Sequence, residues 1–122
     1  VETSEADAIN RENLARLMLH DPAFIDPLAV YLHGHNLARA RLNSRGLAVT
    51  NALAETLPHI SARLVGIWGN RDATAGGLGS IQARRELFRA AQPESVFHVL
   101  PGVGHWAMYE APGQVNRLIL ES

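Results

Sequence analysis

With 122 residues, 47% of them apolar and 19% charged, the chain fits one small soluble globular domain with a modest core. A net charge of −1 supplies no basic footprint, so neither nucleic acid nor a membrane surface is expected as a partner. All eleven basic residues are arginine and cysteine is absent, which excludes a Schiff-base lysine, disulfides, thiolate metal sites and a cysteine nucleophile.

Residues 1–60 read as helical. A helix is expected over 5–20, with Leu14, Leu17 and Met18 on one face and Ser4 or Asp7 as its cap. Asp21-Pro22 ends it and starts a second helix, because an aspartate before a first-turn proline caps free amides. That helix carries Ile25, Leu28, Ala29 and Leu32 and runs toward Leu42. Residues 43–46 form a turn, and a third segment over 47–57 sets Leu53, Ala54 and Leu57 on its apolar stripe before Pro58. Beyond Pro58 the pattern changes. Residues 63–68 are an apolar run closed by Gly69, as expected of a strand buried on both faces. Residues 73–79, with three glycines, form a loop, and 80–91 repeat Ile81, Leu87 and Phe88 at helical spacing. Residues 95–100 form a second strand stopped by Pro101-Gly102, and 111–121 close the chain as a helix. Strand, helix, strand, helix implies parallel strands and a right-handed crossover. The expected class is α/β: a helical segment over 1–60, then a β-α-β-α unit over 61–122. No run approaches the roughly 18 apolar residues of a membrane span. The acidic start at 1–7 is unlike a signal peptide, and a cytoplasmic setting is expected. The absence of an initiator methionine suits a processed or truncated product.

Two loops carry the chemistry. Gly69-Asn70-Arg71-Asp72 follows the first strand, and Gly102-Val103-Gly104-His105-Trp106 follows the second. Reactive groups in open α/β sheets gather beyond the carboxyl ends of parallel strands. A carboxylate there holds an imidazole in the tautomer that accepts a proton from a hydroxyl nucleophile, and it stabilises the imidazolium that forms. Asp72 and His105 are therefore the candidate acid and base. Gly102 and Gly104 are expected to turn the backbone sharply enough for the histidine to reach over the strand ends.

The string Gly104-His105-Trp106-Ala107-Met108-Tyr109-Glu110, with Asn116-Arg117-Leu118 after it, is similar to the meta-cleavage product hydrolases of the α/β-hydrolase superfamily. These enzymes split carbon–carbon bonds in ring-opened products of aromatic degradation. Glu12-Asn13-Leu14 through Leu19-His20-Asp21-Pro22, and residues 36–41, resemble the helical cap inserted before the acid-bearing strand. The resemblance implies the C-terminal part of an α/β-hydrolase fold, with triad order nucleophile, acid, histidine. It implies Asp72 as the acid and His105 as the base, with a small-molecule substrate and no cofactor, and Trp106, Asn36 and Arg39 are candidate residues to touch that substrate. The acid loop departs from the subfamily: Arg71-Asp72-Ala73-Thr74-Ala75-Gly76-Gly77 replaces a more polar continuation, so ester and carbon–carbon substrates both stay open.

The nucleophile is missing. None of the serines, at 4, 44, 61, 80, 95 and 122, lies in the Gly-x-Ser-x-Gly frame of a nucleophile elbow. Gly77-Leu78-Gly79-Ser80 comes nearest, but it follows the acid and reads as a helix cap. The elbow and its oxyanion donors are expected upstream of Val1, leaving these residues inactive alone. An unpaired strand edge and the underside of the cap then favour self-association. The alternative is a non-catalytic interaction or ligand-binding module. His33-x-His35 and His20-Asp21 are not expected to bind metal, since residues two apart point to different sides of a helix. Partly exposed helix histidines are expected there instead. Asn36, Arg39 and Arg41 either line a pocket under the cap or form a solvated face. Trp106 either touches substrate or packs beneath its loop. Arg84, Arg85 and Arg89 form the wet side of their helix.

Overall fold

The computed structural model describes residues 2–43, 46 and 49–122, and it is a mixed α/β fold. In chain order it contains α1 (Glu2–Asn13), α2 (Pro27–Arg39), α3 (Ala52–Thr56), β1 (Val65–Gly69), α4 (Leu78–Ala91), β2 (Val96–Leu100), α5 (Ala107–Glu110) and α6 (Pro112–Leu120). The strands are parallel, in register from Val65 opposite Val96 to Gly69 opposite Leu100, with α4 as their connection.

Helices cover both faces of this pair, as parallel strands require. On one face Leu57, Leu64 and Phe88 form a cluster joined by Ile60, Trp68 and Phe97. The rings of Trp68 and Phe97 stack at 5.4 Å, and Phe88 meets both edge-on. On the other face Leu100, Val103, Ala107 and Val115 pack with Ile67 and Leu118. Burial is incomplete, however: Val65, Ile67 and Trp68 are half-buried, because β1 has a strand neighbour on one edge only among the described residues. A groove of about 430 Å³ lined by Val65, Ile67, Ala107, Met108, Val115 and Ile119 lies beside it.

The helical part differs from expectation in ways that shape the site. The α-helix stops at Asn13, and Leu14–Met18 form a π turn closed by the Leu19 amide on the Leu14 carbonyl at 2.9 Å. The wider turn buries both Leu14 and Leu19 and leaves the Met18 carbonyl to accept the Trp106 amide at 2.9 Å. Because α1 begins at Glu2, neither Ser4 nor Asp7 caps it. Asp21-Pro22 starts only a 3-10 turn, Pro22–Phe24. The second helix begins at the next Asp-Pro pair, where Asp26 accepts the Ala29 amide at 2.8 Å, and it ends at Arg39. The third segment is α3 followed by a 3-10 turn, Leu57–His59. The turn expected at 43–46 and the start of the third segment involve residues 44, 45, 47 and 48, which lie outside the described residues.

In the C-terminal half, α4 begins at Leu78 with Gly77 at its cap position, and Ser80 is not a cap: its hydroxyl donates to the Gly76 carbonyl at 3.2 Å. The closing helix expected over 111–121 is α6, which starts at Pro112 because proline suits a first turn, and the short α5 precedes it outside the expected range. Leu14, Leu19, Ala29 and Val30 form the core between α1 and α2, and Trp106 and Tyr109 pack against it. The helical part thus sits directly on the loop that carries His105. Leu57 and Ile60 pack instead with Leu64 and Phe88 of the sheet layer.

Candidate active site

The two strand-end loops are tied to each other by two backbone bonds and one to a side chain. The Asn70 amide donates to the Leu100 carbonyl at 2.9 Å, the Arg71 amide to the Val103 carbonyl at 2.9 Å, and Gly102 donates to Asn70 Oδ1 at 2.8 Å. This lacing brings Asp72 and His105 together, with Nδ1 of His105 lying 2.9 Å from Oδ2 of Asp72. The other carboxylate oxygen, Oδ1, accepts the Thr74 amide at 2.8 Å and the Thr74 hydroxyl at 2.7 Å. Burial pushes the Asp72 carboxyl up, but the hydrogen bonds from His105 and Thr74 outweigh it and hold the group below the usual carboxylate range. Asp72 is 6% exposed, whereas the His105 side chain is 42% exposed. The carboxylate is therefore a fixed, ionised partner, and the imidazole is the group open to a reactant.

Gly102 has φ of +72°, the left-handed backbone that turns the loop off β2. Gly104 serves a different purpose from the sharp turn expected of it. A Cβ there would meet Glu110 Oε2 at 2.7 Å, the His20 amide nitrogen at 2.7 Å and the Met18 carbonyl at 3.0 Å, so glycine permits the close approach of three chain segments. Glu110, 9% exposed, is the hub of that approach. Its Oε1 accepts the His20 and Asp21 amides, both at 2.8 Å, and its Oε2 accepts the Gly104 amide at 2.6 Å. Tyr109 adds a second tie, donating its hydroxyl to Asp26 Oδ1 at 2.7 Å. The Asp26 carboxyl is held below its usual range by the Ala29 amide and then by this hydroxyl.

Between α2 and α5 lies an open cavity of about 450 Å³ lined by Leu32, Asn36, His105, Trp106, Met108 and Tyr109. Its walls are mainly apolar, with Asn36 and His105 as the polar groups, the usual composition of a small-molecule site. Two of the three expected substrate contacts, Asn36 and Trp106, therefore share a cavity with His105. Arg39, exposed in the last turn of α2, is not among the lining residues. Among the described residues no group of three or more His, Cys, Asp or Glu side chains is placed to hold a metal ion.

His33 is not a partly exposed helix histidine. It is buried to 9% exposure against the edge of Trp106, with ring centroids 6.1 Å apart, and its Nε2 has no hydrogen-bond partner among the described residues. Burial lowers its pKa from the ordinary 6.5. The unfolded chain then takes up a proton first as the pH falls through 6.5, so stability declines below that pH until the folded-state value is reached. His33→Leu is expected to raise stability by about 1 kcal/mol at neutral pH, by removing an unsatisfied buried nitrogen. It should also flatten that decline. Urea unfolding of both chains at neutral and mildly acidic pH checks this, and an equal decline in both would refute it.

Sequence reasoning missed Glu110 and Thr74. An Asp-x-Thr spacing, which favours a local turn in which the first side chain caps the third residue, was the available signal for Thr74. Glu110 had none, because its partners are backbone amides. Among the described residues no helix is long and apolar enough to cross a membrane. Compared with protein-family models, curated proteins and solved structures, the chain matches none.

Proposed function

We propose that the chain supplies the acid, the base and part of the cap of an α/β-fold hydrolase that cleaves ester or carbon–carbon bonds in a small molecule in the cytoplasm. The observation that carries this reading is the 2.9 Å contact between the buried Asp72 carboxylate and the ring of His105 at the carboxyl ends of parallel strands. Asp72 keeps the proton of His105 on Nδ1, which leaves the Nε2 lone pair to accept a proton from a serine hydroxyl as that oxygen attacks the substrate carbonyl. The imidazolium then returns the proton to the leaving group, and a water activated in the same way releases the acyl group. The attacking serine, in a Gly-x-Ser-x-Gly turn, belongs to sequence outside residues 1–122. The cavity between α2 and α5 would hold the substrate, with Asn36 as its hydrogen-bonding wall and Trp106 as its aromatic one. The edge of β1 that has no strand neighbour among the described residues is where a further strand would add, either from that outside sequence or from a second copy through self-association.

The test uses two readouts. A fluorophosphonate probe is expected to leave the purified 122-residue chain unlabelled, and to label a serine of the longer polypeptide only while His105 is present. Small-angle scattering of the isolated chain should give a mass above that of one copy. Stoichiometric labelling of the isolated chain would overturn the external nucleophile. A longer polypeptide without an elbow would favour a ligand-binding module.

A further inference from the structure

We infer that Thr74 is a positioning residue for His105, closing a three-sided hydrogen-bonded ring with Asp72 that holds the imidazole in its Nδ1–H form. Its role in catalysis rests on the proposed reading of His105 as a base. The geometry of the ring stands independently.

Counting protons decides the tautomer. Thr74 Oγ1 lies 2.7 Å from Asp72 Oδ1 and 3.0 Å from His105 Nδ1. A hydroxyl has one proton to donate and two lone pairs to accept with. The ionised Asp72 has no proton, so the contact to Oδ1 is made only if Thr74 donates there. Oγ1 then faces His105 with lone pairs alone. Nδ1 must therefore carry a hydrogen, which it shares between Thr74 Oγ1 and Asp72 Oδ2 at 2.9 Å. With the proton on Nε2 instead, lone pairs of both oxygens would face the Nδ1 lone pair. The alternative of turning the Thr74 hydroxyl to Nδ1 would strip Oδ1 of its shortest bond. Every side of the ring is attractive in only one tautomer.

The Thr74 amide also grips Oδ1, at 2.8 Å. Residue 74 thus occupies one carboxylate oxygen through both backbone and side chain, and leaves the other to the imidazole. Since His105 is the more exposed partner, this assignment fixes its ring plane as well as its proton. The effect survives the proton transfer, because an imidazolium keeps the same Nδ1–H and the same two acceptors.

The experiment is nitrogen-15 and proton NMR of the 122-residue chain at mildly alkaline pH, reading the tautomer of His105 and the solvent exchange of its Nδ1 proton. Thr74→Val keeps the shape and the amide but removes the hydroxyl, Thr74→Ser keeps the hydroxyl, and Asp72→Asn removes the charge. Exchange at least about fivefold faster in Thr74→Val, with Thr74→Ser near the parent rate, is expected from the loss of one hydrogen bond. An unchanged rate in Thr74→Val overturns the inference. So does a Thr74→Ser chain as fast as Thr74→Val, because an acceleration that persists with the hydroxyl present comes from altered packing and not from the lost hydrogen bond. If Asp72→Asn leaves the tautomer and the exchange rate unchanged, the acid–base reading itself fails, an outcome separate from either of these.

Discussion

Replacing Glu110 by glutamine is expected to lower the unfolding free energy by about 2 kcal/mol, and replacing it by alanine by about 4 kcal/mol. The carboxylate is buried, and its three hydrogen bonds all come from backbone amides, those of His20, Asp21 and Gly104. Glutamine offers one oxygen and one NH₂ where the site needs two acceptors. Its better orientation keeps the oxygen on His20 and Asp21 and turns the NH₂ against the Gly104 amide, donor facing donor. One bond becomes a repulsion and two lose their charge. Alanine leaves three amides without a partner and opens a void beside Gly104. Against the roughly 5–15 kcal/mol typical of whole domains, either change is a large fraction. Urea unfolding measures the loss, and amide exchange locates it: protection should fall together at His20, Asp21 and Gly104. A glutamine variant within about 0.5 kcal/mol of the parent would show that the hub is not a significant source of stability.

That hub also explains which parts of the molecule were legible in the sequence. Both strands and the loops after them were legible, because a short apolar run ended by glycine has few alternatives between helical patterns. The meeting of Asp72 with His105 followed from the topology, since parallel strands joined by one helix bring their carboxyl ends side by side. The helical part was legible as helical but not in its joints. Two Asp-Pro pairs lie five residues apart, at Asp21 and Asp26, and either can start a helix. Only packing decides, through Ala29 and Val30 against Leu14 and Leu19. The π turn at Leu14–Met18 has no local signature either. It is stabilised by the Trp106 amide meeting the Met18 carbonyl from far along the chain. Glu110 was illegible for the same reason, since His20 and Asp21 are 90 and 89 residues away and contribute only backbone. His33 shows the reverse error. Its charge class suggested exposure, yet its position on α2, one turn from Ala29 and Val30, put it in the buried stripe.

The second large effect is expected at Asp72, where asparagine is nearly isosteric and the outcome turns on one proton. Thr74 donates to Oδ1 through both its amide and its hydroxyl, so in Asp72→Asn the side-chain carbonyl oxygen takes that place. The NH₂ group must then occupy the position of Oδ2 and face Nδ1 of His105, 2.9 Å away in the parent. Two donors cannot share that contact. His105 is driven to the Nε2–H tautomer, and the nitrogen that should accept the nucleophile's proton already carries one. In the hydrolase proposed here, kcat/KM should fall by about 10⁴-fold while the fold is retained. In the chain alone, nitrogen-15 NMR should show the proton moved from Nδ1 to Nε2. The same substitution has a signature at acid pH. Because the Asp72 carboxyl lies below its ordinary 3.8 when folded, the parent is stabilised above that pH and loses the contribution as the pH falls through the folded value. Asparagine lacks a titrating group, so the variant's stability should change less over that range. A rate loss under about tenfold, or an Nδ1–H tautomer that persists in Asp72→Asn, would remove Asp72 from the role of orienting acid. The 2.9 Å contact would then be an ordinary strand-end hydrogen bond.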